Sequence, residues 1–338
     1  VIFLKQSLMN QVLDPKIPPK KRWRRPILIG LAATLVLLTA VAAFLFYAPR
    51  AALPPGPVEI CTLEIGGYPR TYTVFAPVNL QPGARVVFVL HASQSRGEEM
   101  RRIVGCVLEP LAEKDNAVIV YPDGFEGHFN DARRAASYSA RKLNIDDVAF
   151  TRQIVERLIS SKQIDPQQVY AIGYSNGAHM ALRLALEAPD TVQGVAAIAA
   201  NLPAPENLDC KMAATPARVV VFVEGTQDPI NPYEGGRVTL FGFGNRGKVL
   251  SAQASAEWFA QRLGLGGVVS GISDLLPGIR VRQQDWQSAS GHVRLVTIEG
   301  GGHTVPQAAH RFPRIFGPTL PSNAVLESIW ELFRETRK

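Results

Sequence analysis

The stretch "AIGYSNGAHMA", residues 171–181, decides how the rest of the chain is read. Gly173 and Gly177 flank Ser175 at even spacing, after an apolar run and before a helix-like run. A strand that turns sharply into a helix forces the serine backbone into a cramped conformation. Glycines two before and two after relieve the clash, and the side chain is presented at the carboxyl edge of a sheet. The competing reading is an ordinary glycine-rich corner between a strand and a helix. The strand "QVYAIGY" before the serine and "GAHMALRLALEA" after it favour the elbow, with Ser175 as a nucleophile.

A serine hydroxyl needs a base, and the base needs an orienting acid. Behind an elbow of this kind the acid precedes the histidine in the chain. The segment "VVVFVEGTQDPINP" (219–232) ends an apolar run and enters a turn carrying Glu224 and Asp228. "VTIEGGGHTVP" (296–306) ends another run and turns on three glycines into His303. Asp228 lies farther into its loop than Glu224 and precedes Pro229, so it is the expected acid. His303 is the expected base. His91 closes the run "VVFVLH" and is read as bracing the loop that follows, and His179 as packing against the sheet. His128, His292 and His310 have ordinary loop or edge settings. Acyl transfer also needs donors for an oxyanion. The backbone N–H of Asn176 is one candidate, and that of Ala92 or Ser93 the second.

Seven apolar runs read as strands: "RTYTVFAP" (70–77), "RVVFVLH" (85–91), "AVIVYP" (117–122), "VYAIGYS" (169–175), "VAAIAAN" (195–201), "RVVVFVEG" (218–225) and "VRLVTIEG" (293–300). Several are β-branched and nearly continuous in hydrophobicity, as strands buried on both faces are. Helical stretches alternate with them. In "DDVAFTRQIVERLISS" (146–161), Val148, Val155, Leu158 and Ile159 share a face, and Asp146 or Asp147 can cap the start. The last helix, 322–335, offers Leu326, Ile329, Trp330 and Phe333 to the sheet. The alternation predicts a mostly parallel sheet with helices on both faces.

Of 36 Lys and Arg, eight fall in the first 50 residues against a single acid, Asp14, so the formal net charge of +7 resides there. The remaining 28 basic and 28 acidic residues balance, which argues against a nucleic-acid footprint. "KKRWRR" (20–25) precedes an apolar run, 26–48, without a charge over 27–47. That length suits a membrane helix. The exit "FLFYAPRAALPPG" lacks a small-x-small cleavage site. The reading is a cytoplasmic basic segment (1–25), a transmembrane anchor (26–48), a stiff Pro-rich linker (49–57) and one domain (58–338). The positive flank places that domain outside the cytoplasm, periplasmic or extracellular. A cleaved signal, giving a secreted protein, is the alternative. The pair Arg24-Arg25 lacks the rest of a twin-arginine pattern.

Cys61, Cys106 and Cys210 have no metal-ligand spacing; one disulfide with a leftover thiol and three buried free thiols are equally open. "GFGNRGK" (242–248) fits a dinucleotide fingerprint and most of a phosphate loop. Val249 replaces the needed Ser or Thr and no long strand feeds it, so it reads as a plain glycine loop.

With these residues in hand, the chain resembles extracellular α/β-hydrolase esterases of the polyhydroxybutyrate depolymerase-like and feruloyl-esterase-like group. The likeness runs from "GGYPRTYTVFAP" to the last helix and includes "YPDG" (121–124), "HFNDAR" (128–133), "IDDVAFTRQIVE" (145–156), "GYSNGAHMA" (173–181), "GTQDPINPYEGG" (225–236) and "GGGHTVP" (300–306). It implies the α/β-hydrolase fold and the same three residues, Ser175, His303 and Asp228. Two positions depart from the pattern. The group has His-Gly where this chain has His91-Ala92, so a strained Ala92 or a donor moved to Ser93 is expected. The group has Trp where this chain has Val305, which implies a missing aromatic wall beside His303.

The expectation is a serine ester hydrolase acting through an acyl-enzyme on a small-molecule or polymeric ester, with no cofactor, metal or nucleic-acid partner, held to a membrane through 26–48. A serine peptidase and a non-catalytic binding protein on the same fold are the alternatives.

Overall fold

A computed structural model describes residues 24–276 and 279–336. Most of the basic N-terminal segment therefore lies outside the described residues. The chain divides into two compact units, Val1–Tyr47 and Ala48–Lys338. In the first, α1 (Arg24–Phe46) contains a 20-residue stretch, Ile27–Phe46, long and apolar enough to cross a bilayer. Its leucines and valines are exposed, apart from the half-buried Leu45. A signal sequence meets the same criterion.

The second unit opens with β1 (Glu59–Ile65), β2 (Tyr68–Phe75) and β3 (Ala84–Leu90), then α2 (Gly97–Lys114) and β4 (Ala117–Pro122). Next come α3 (Ser139–Lys142), α4 (Asp147–Lys162), β5 (Ile164–Tyr174), α5 (Asn176–Glu187), β6 (Gly194–Ile198) and β7 (Val219–Gly225). A two-residue ribbon, β8 (Gly236–Arg237) with β9 (Lys248–Val249), leads to α6 (Ala252–Arg262). The antiparallel strands β10 (Val269–Leu276), β11 (Ile279–Ser288) and β12 (Gly291–Ile298) follow, and α7 (Ala324–Glu335) comes last.

Among the described residues, ten strands form one sheet in the order β1-β2-β4-β3-β5-β6-β7-β12-β11-β10. The centre, β4 to β12, is parallel throughout. Every residue of β3, β4, β6 and β7 is buried, which is why these strands read as unbroken apolar runs. Alternation along each strand feeds two cores. Val86, Phe88 and Leu90 pack with α4, α5 and α6, while Val87 and Val89 pack with α2 and α7. Leu326, Ile329, Trp330 and Phe333 of α7 are all buried.

All seven expected strands are present; β1, β10 and β11 were not foreseen. β1 alternates exposed and buried residues at the sheet edge, and β11 carries charges between its buried positions. Neither has an apolar run long enough to stand out. One helix-face expectation is corrected. Ile159 is 39% exposed, and Thr151 and Ile154 join Val148, Val155 and Leu158 on the buried face of α4. Asp146 caps that helix by accepting from Ala149 N–H at 2.8 Å. All three cysteines are free thiols, but of them only Cys61 is buried; Cys106 is exposed and Cys210 half-buried. Because β3, β5, β7 and β12 run the same way, their carboxyl ends open along one edge, where an open α/β sheet places its ligands.

Candidate active site

Ser175 occupies the corner between β5 and α5 at φ 55 and ψ −113, outside the regions a serine adopts at ease. Its N–H donates to Ile198 carbonyl at 2.9 Å and its carbonyl accepts from His179 N–H at 3.0 Å, so the strain is held from both sides. A Cβ on Gly177 would lie 2.3 Å from the Leu90 carbonyl oxygen, and one on Gly173 would lie 2.2 Å from the Gly177 carbonyl oxygen. Only glycine lets α5 start this close to β3 and β5. The elbow therefore exists because of the spacing that made it legible.

His303 arrives on the loop after β12. Gly302 passes against the neighbouring segment so closely that a Cβ would meet Phe316 carbonyl oxygen at 2.2 Å. His303 N–H then donates to that same carbonyl at 2.7 Å, and Tyr174 OH donates to His303 carbonyl at 2.7 Å. These bonds aim the ring. Its Nδ1 lies 2.7 Å from Asp228 Oδ2 and its Nε2 lies 2.9 Å from Ser175 Oγ. A carboxylate can only accept, so Nδ1 carries the proton and the Nε2 lone pair faces the serine hydroxyl. Asp228 Oδ1 accepts from Ile230 N–H at 2.7 Å and Asn231 N–H at 2.8 Å. The side chains of His303 and Asp228 are 4% and 0% exposed, so their interaction is little screened by water.

Glu224, the other carboxyl in this strand end, is fully buried at the end of β7. It accepts from Ala200 N–H at 2.9 Å and Asn231 Nδ2 at 3.3 Å and does not touch His303. Burial, and then the charge of Asp228, push its carboxyl well above the usual range.

The loop after β3 is pinned by His91, which is 0% exposed. Gly124 N–H donates to Nε2 at 2.8 Å, which puts the ring proton on Nδ1 to bond Ala92 carbonyl at 2.7 Å. Burial pulls this imidazole down to about 4, so it brackets the loop as a neutral ring. The strain expected at Ala92 is not there. Ala92 is outside the positive-φ region, and the left-handed residue of this loop is Gln94, at φ 56. Alanine is accommodated because the turn is made two residues later. The N–H groups of Ala92 and Ser93 carry no hydrogen bond among the described residues, and that of Asn176, in the first turn of α5, has no intrahelical acceptor. Ser93 Oγ is also buried without a partner.

Val305 is 0% exposed and belongs to the core with Leu320 and Val325. The aromatic rings near His303 are Tyr174, at 5.4 Å, and Phe316, at 6.2 Å.

Beneath Asn176 lies a buried polar cluster that the sequence reading did not assemble. Asn176 Nδ2 donates to Asp131 Oδ2 at 2.6 Å and reaches Tyr138 OH at 3.3 Å. Arg133 binds Asp131 with Nη2 to Oδ2 at 2.6 Å, and Tyr138 OH donates to the same oxygen at 2.7 Å. Asp131 is buried, yet Arg133 holds its carboxyl well below the usual range. The signal available was the unusual density of polar groups in "HFNDAR". His128 stacks on Tyr138, ring centroids 4.4 Å apart and planes at 15°. His179 is buried in α5, and burial followed by the Arg133 charge drives its imidazole well below the usual value. His292 pairs with Asp285 on β11 at 2.5 Å, away from this cluster.

A cavity of about 680 Å³ opens beside this site, from Gln94 and Ser95 across Arg70 and Asp123 to Phe125 and His128. It begins where the Ala92–Ser93 loop ends, and none of Ser175, His303 and Asp228 lines it.

Comparison with known proteins agrees with this architecture. Residues 136–253 match a family described as Phospholipase/Carboxylesterase. The chain is 34% identical over 177 residues to "Putative esterase NocK" of Nocardia uniformis subsp. tsuyamanensis, covering 51% of this chain and 48% of that one. It is 28% identical over 195 residues to Feruloyl esterase B of Piromyces equi, covering 57% of this chain and 34% of that one. The match thus spans about half or less of these relatives' own length. Among solved structures, an acetyl xylan esterase from Aspergillus awamori superposes with a TM-score of 0.54 over 82% of this chain and 100% of that one, at 14% identity. The chain has the α/β-hydrolase fold, and its resemblance in sequence is to esterases.

Proposed function

We propose that this protein is a serine carboxylic ester hydrolase working through an acyl-enzyme. The observation that carries the reading is the continuous chain of hydrogen bonds from Asp228 Oδ2 through the His303 ring to Ser175 Oγ, 2.7 and 2.9 Å long. In this reading His303 Nε2 takes the serine proton as Oγ attacks the ester carbonyl. Asp228 keeps the ring in the tautomer that can do so and stabilises the imidazolium. The tetrahedral oxyanion is met by the unpaired N–H groups of Asn176 and of Ala92 or Ser93. His303 then protonates the leaving alcohol, and water, activated by the same ring, releases the acid. Similarity to proteins named as esterases supports the reaction class. The domain, residues 58–338, is proposed to work outside the cytoplasm, held by the apolar helix, with release after signal cleavage as the alternative topology.

The test is a fluorophosphonate probe together with a panel of short p-nitrophenyl esters, feruloyl esters and hydroxybutyrate oligomers. Ser175→Ala is expected to lose labelling and to lower ester turnover by roughly 10³-fold or more without loss of fold. Undiminished turnover in that variant removes Ser175 from the reaction. Absence of labelling in the parent protein would favour a binding role for the fold.

A further inference from the structure

We propose that Arg246 recognises a carboxylate carried by the ester substrate, an inference that rests on the esterase reading above. Arg246 lies in the glycine-rich segment that fails as a phosphate loop. Gly242, Gly244 and Gly247 all have positive φ there, so the backbone folds back on itself between β8 and β9. The fold-back is clamped. Asn207 Nδ2 donates to the carbonyls of Arg246 and Lys248, each at 3.0 Å, while its Oδ1 accepts from Ala135 N–H at 3.0 Å. Gly247 makes room for this, since a Cβ there would lie 2.2 Å from Asn207 Cγ. The segment is thereby tied to the strip that carries Asp131, Arg133 and Tyr138.

The clamp sets the Arg246 guanidinium 5.8 Å from the centre of the Tyr138 ring. The hydroxyl of that ring lies 3.3 Å from the side chain of Asn176, the residue after the elbow serine. Arg246 is half-buried and, among the described residues, no carboxylate pairs with it. The nearby acid, Asp131, is committed to Arg133, Tyr138 and Asn176. Burial and the neighbouring Arg133 charge both disfavour this cation. A half-desolvated guanidinium with five donors, beside a second one already neutralised, leaves a local excess of one positive charge. The planar fork suits a carboxylate. The occupant that satisfies it is an anionic end of the substrate, held by the guanidinium fork. The carboxylate can belong to the acyl or the alcohol half of the ester.

Two substrate pairs separate these. The p-nitrophenyl half-ester of glutaric acid against p-nitrophenyl pentanoate places the charge on the acyl half. Acetoxybenzoate against phenyl acetate places it on the alcohol half. The quantity read is the ratio of kcat/KM for the charged ester to that for its neutral partner, which cancels any general damage to folding or turnover. In Arg246→Gln the ratio is expected to fall by about tenfold or more for one of the pairs, the size of a lost charge-assisted contact. Arg246→Lys should fall between, having the charge without the fork. Added salt should shrink the parent's ratio and leave that of Arg246→Gln nearly level. A ratio unchanged in Arg246→Gln for both pairs, with Ser175-dependent turnover of the neutral esters intact, overturns this inference alone. No Ser175-dependent turnover of either neutral ester overturns the esterase reading and this inference with it.

Discussion

Asp228 and Glu224 stand four residues apart, and their surroundings separate them. Asp228 accepts from two backbone N–H groups and from the imidazole, which fixes its carboxyl against the ring. Glu224 is buried beside that charge and is pushed to its neutral form. Asp228→Asn is therefore expected to lower kcat by ~10³–10⁴-fold, because the amide can hold the wrong imidazole tautomer. Glu224→Gln replaces a neutral acid by its near-isostere, and steady-state kinetics should find its kcat within a few-fold of the parent. A crippled Glu224→Gln with a working Asp228→Asn would reverse the assignment. Ala92 belongs at this scale too. Since its φ is ordinary, Ala92→Gly relieves nothing and only adds freedom to the loop. Its kcat on a small activated ester should stay level or fall, and a clear rise would show that the alanine obstructs the oxyanion donors.

Elements meet at the elbow through backbone, and this makes its glycines structural. The Leu90 and His91 carbonyl oxygens stand 2.3 and 2.5 Å from where a Cβ of Gly177 would be. Gly177→Ala must push α5 away from β3, at a cost of about 1–3 kcal/mol or more. The urea midpoint should fall and Ser175 reactivity towards the probe should fall with it. The loop after β3 depends on a neutral His91 in a similar way. Its folded value of about 4 lies below the ordinary value of 6.5. Between the two, the unfolded chain takes up a proton that the folded state refuses. This contribution to stability is thus complete above about pH 6.5 and is lost as the pH falls towards 4. Urea midpoints measured from pH 7 to pH 4 should drop less steeply in His91→Gln than in the parent. Equal slopes would mean that His91 titrates normally.

At the scale of the whole molecule the charge asymmetry matters most. The body is balanced, and six of the seven excess positive charges precede the apolar stretch Ile27–Phe46. An anchored topology predicts that the full chain stays with membranes through alkaline carbonate extraction. A phosphatase reporter after Lys338 should be active outside the cytoplasm. Removal of residues 1–47, a separate compact unit, should leave a soluble protein with the parent's kcat/KM on a short ester. Recovery of an N-terminally shortened protein from the soluble exported fraction would convert the anchor into a signal peptide.

Local physics explains what the residues disclosed by themselves. Strands buried on both faces must be apolar at every position, so β3, β4, β6 and β7 stood out as runs. A helix that starts against two strands must begin with glycine, so the elbow showed as a spacing. A carboxyl and a histidine at the ends of such strands marked Asp228 and His303, and the apolar N-terminal run marked α1. Edge strands β1 and β11 stayed hidden because half their residues face water and satisfy no continuous pattern. Only the tertiary structure could place the φ of Gln94 rather than Ala92 at the turn, bury Val305 while setting Phe316 near His303, or bring Arg246 over Tyr138. Each of these is a contact between segments distant in the chain, or a backbone angle chosen by such contacts. Their energies depend on which groups are left facing one another after the sheet has closed, and no local pattern of residue types encodes that.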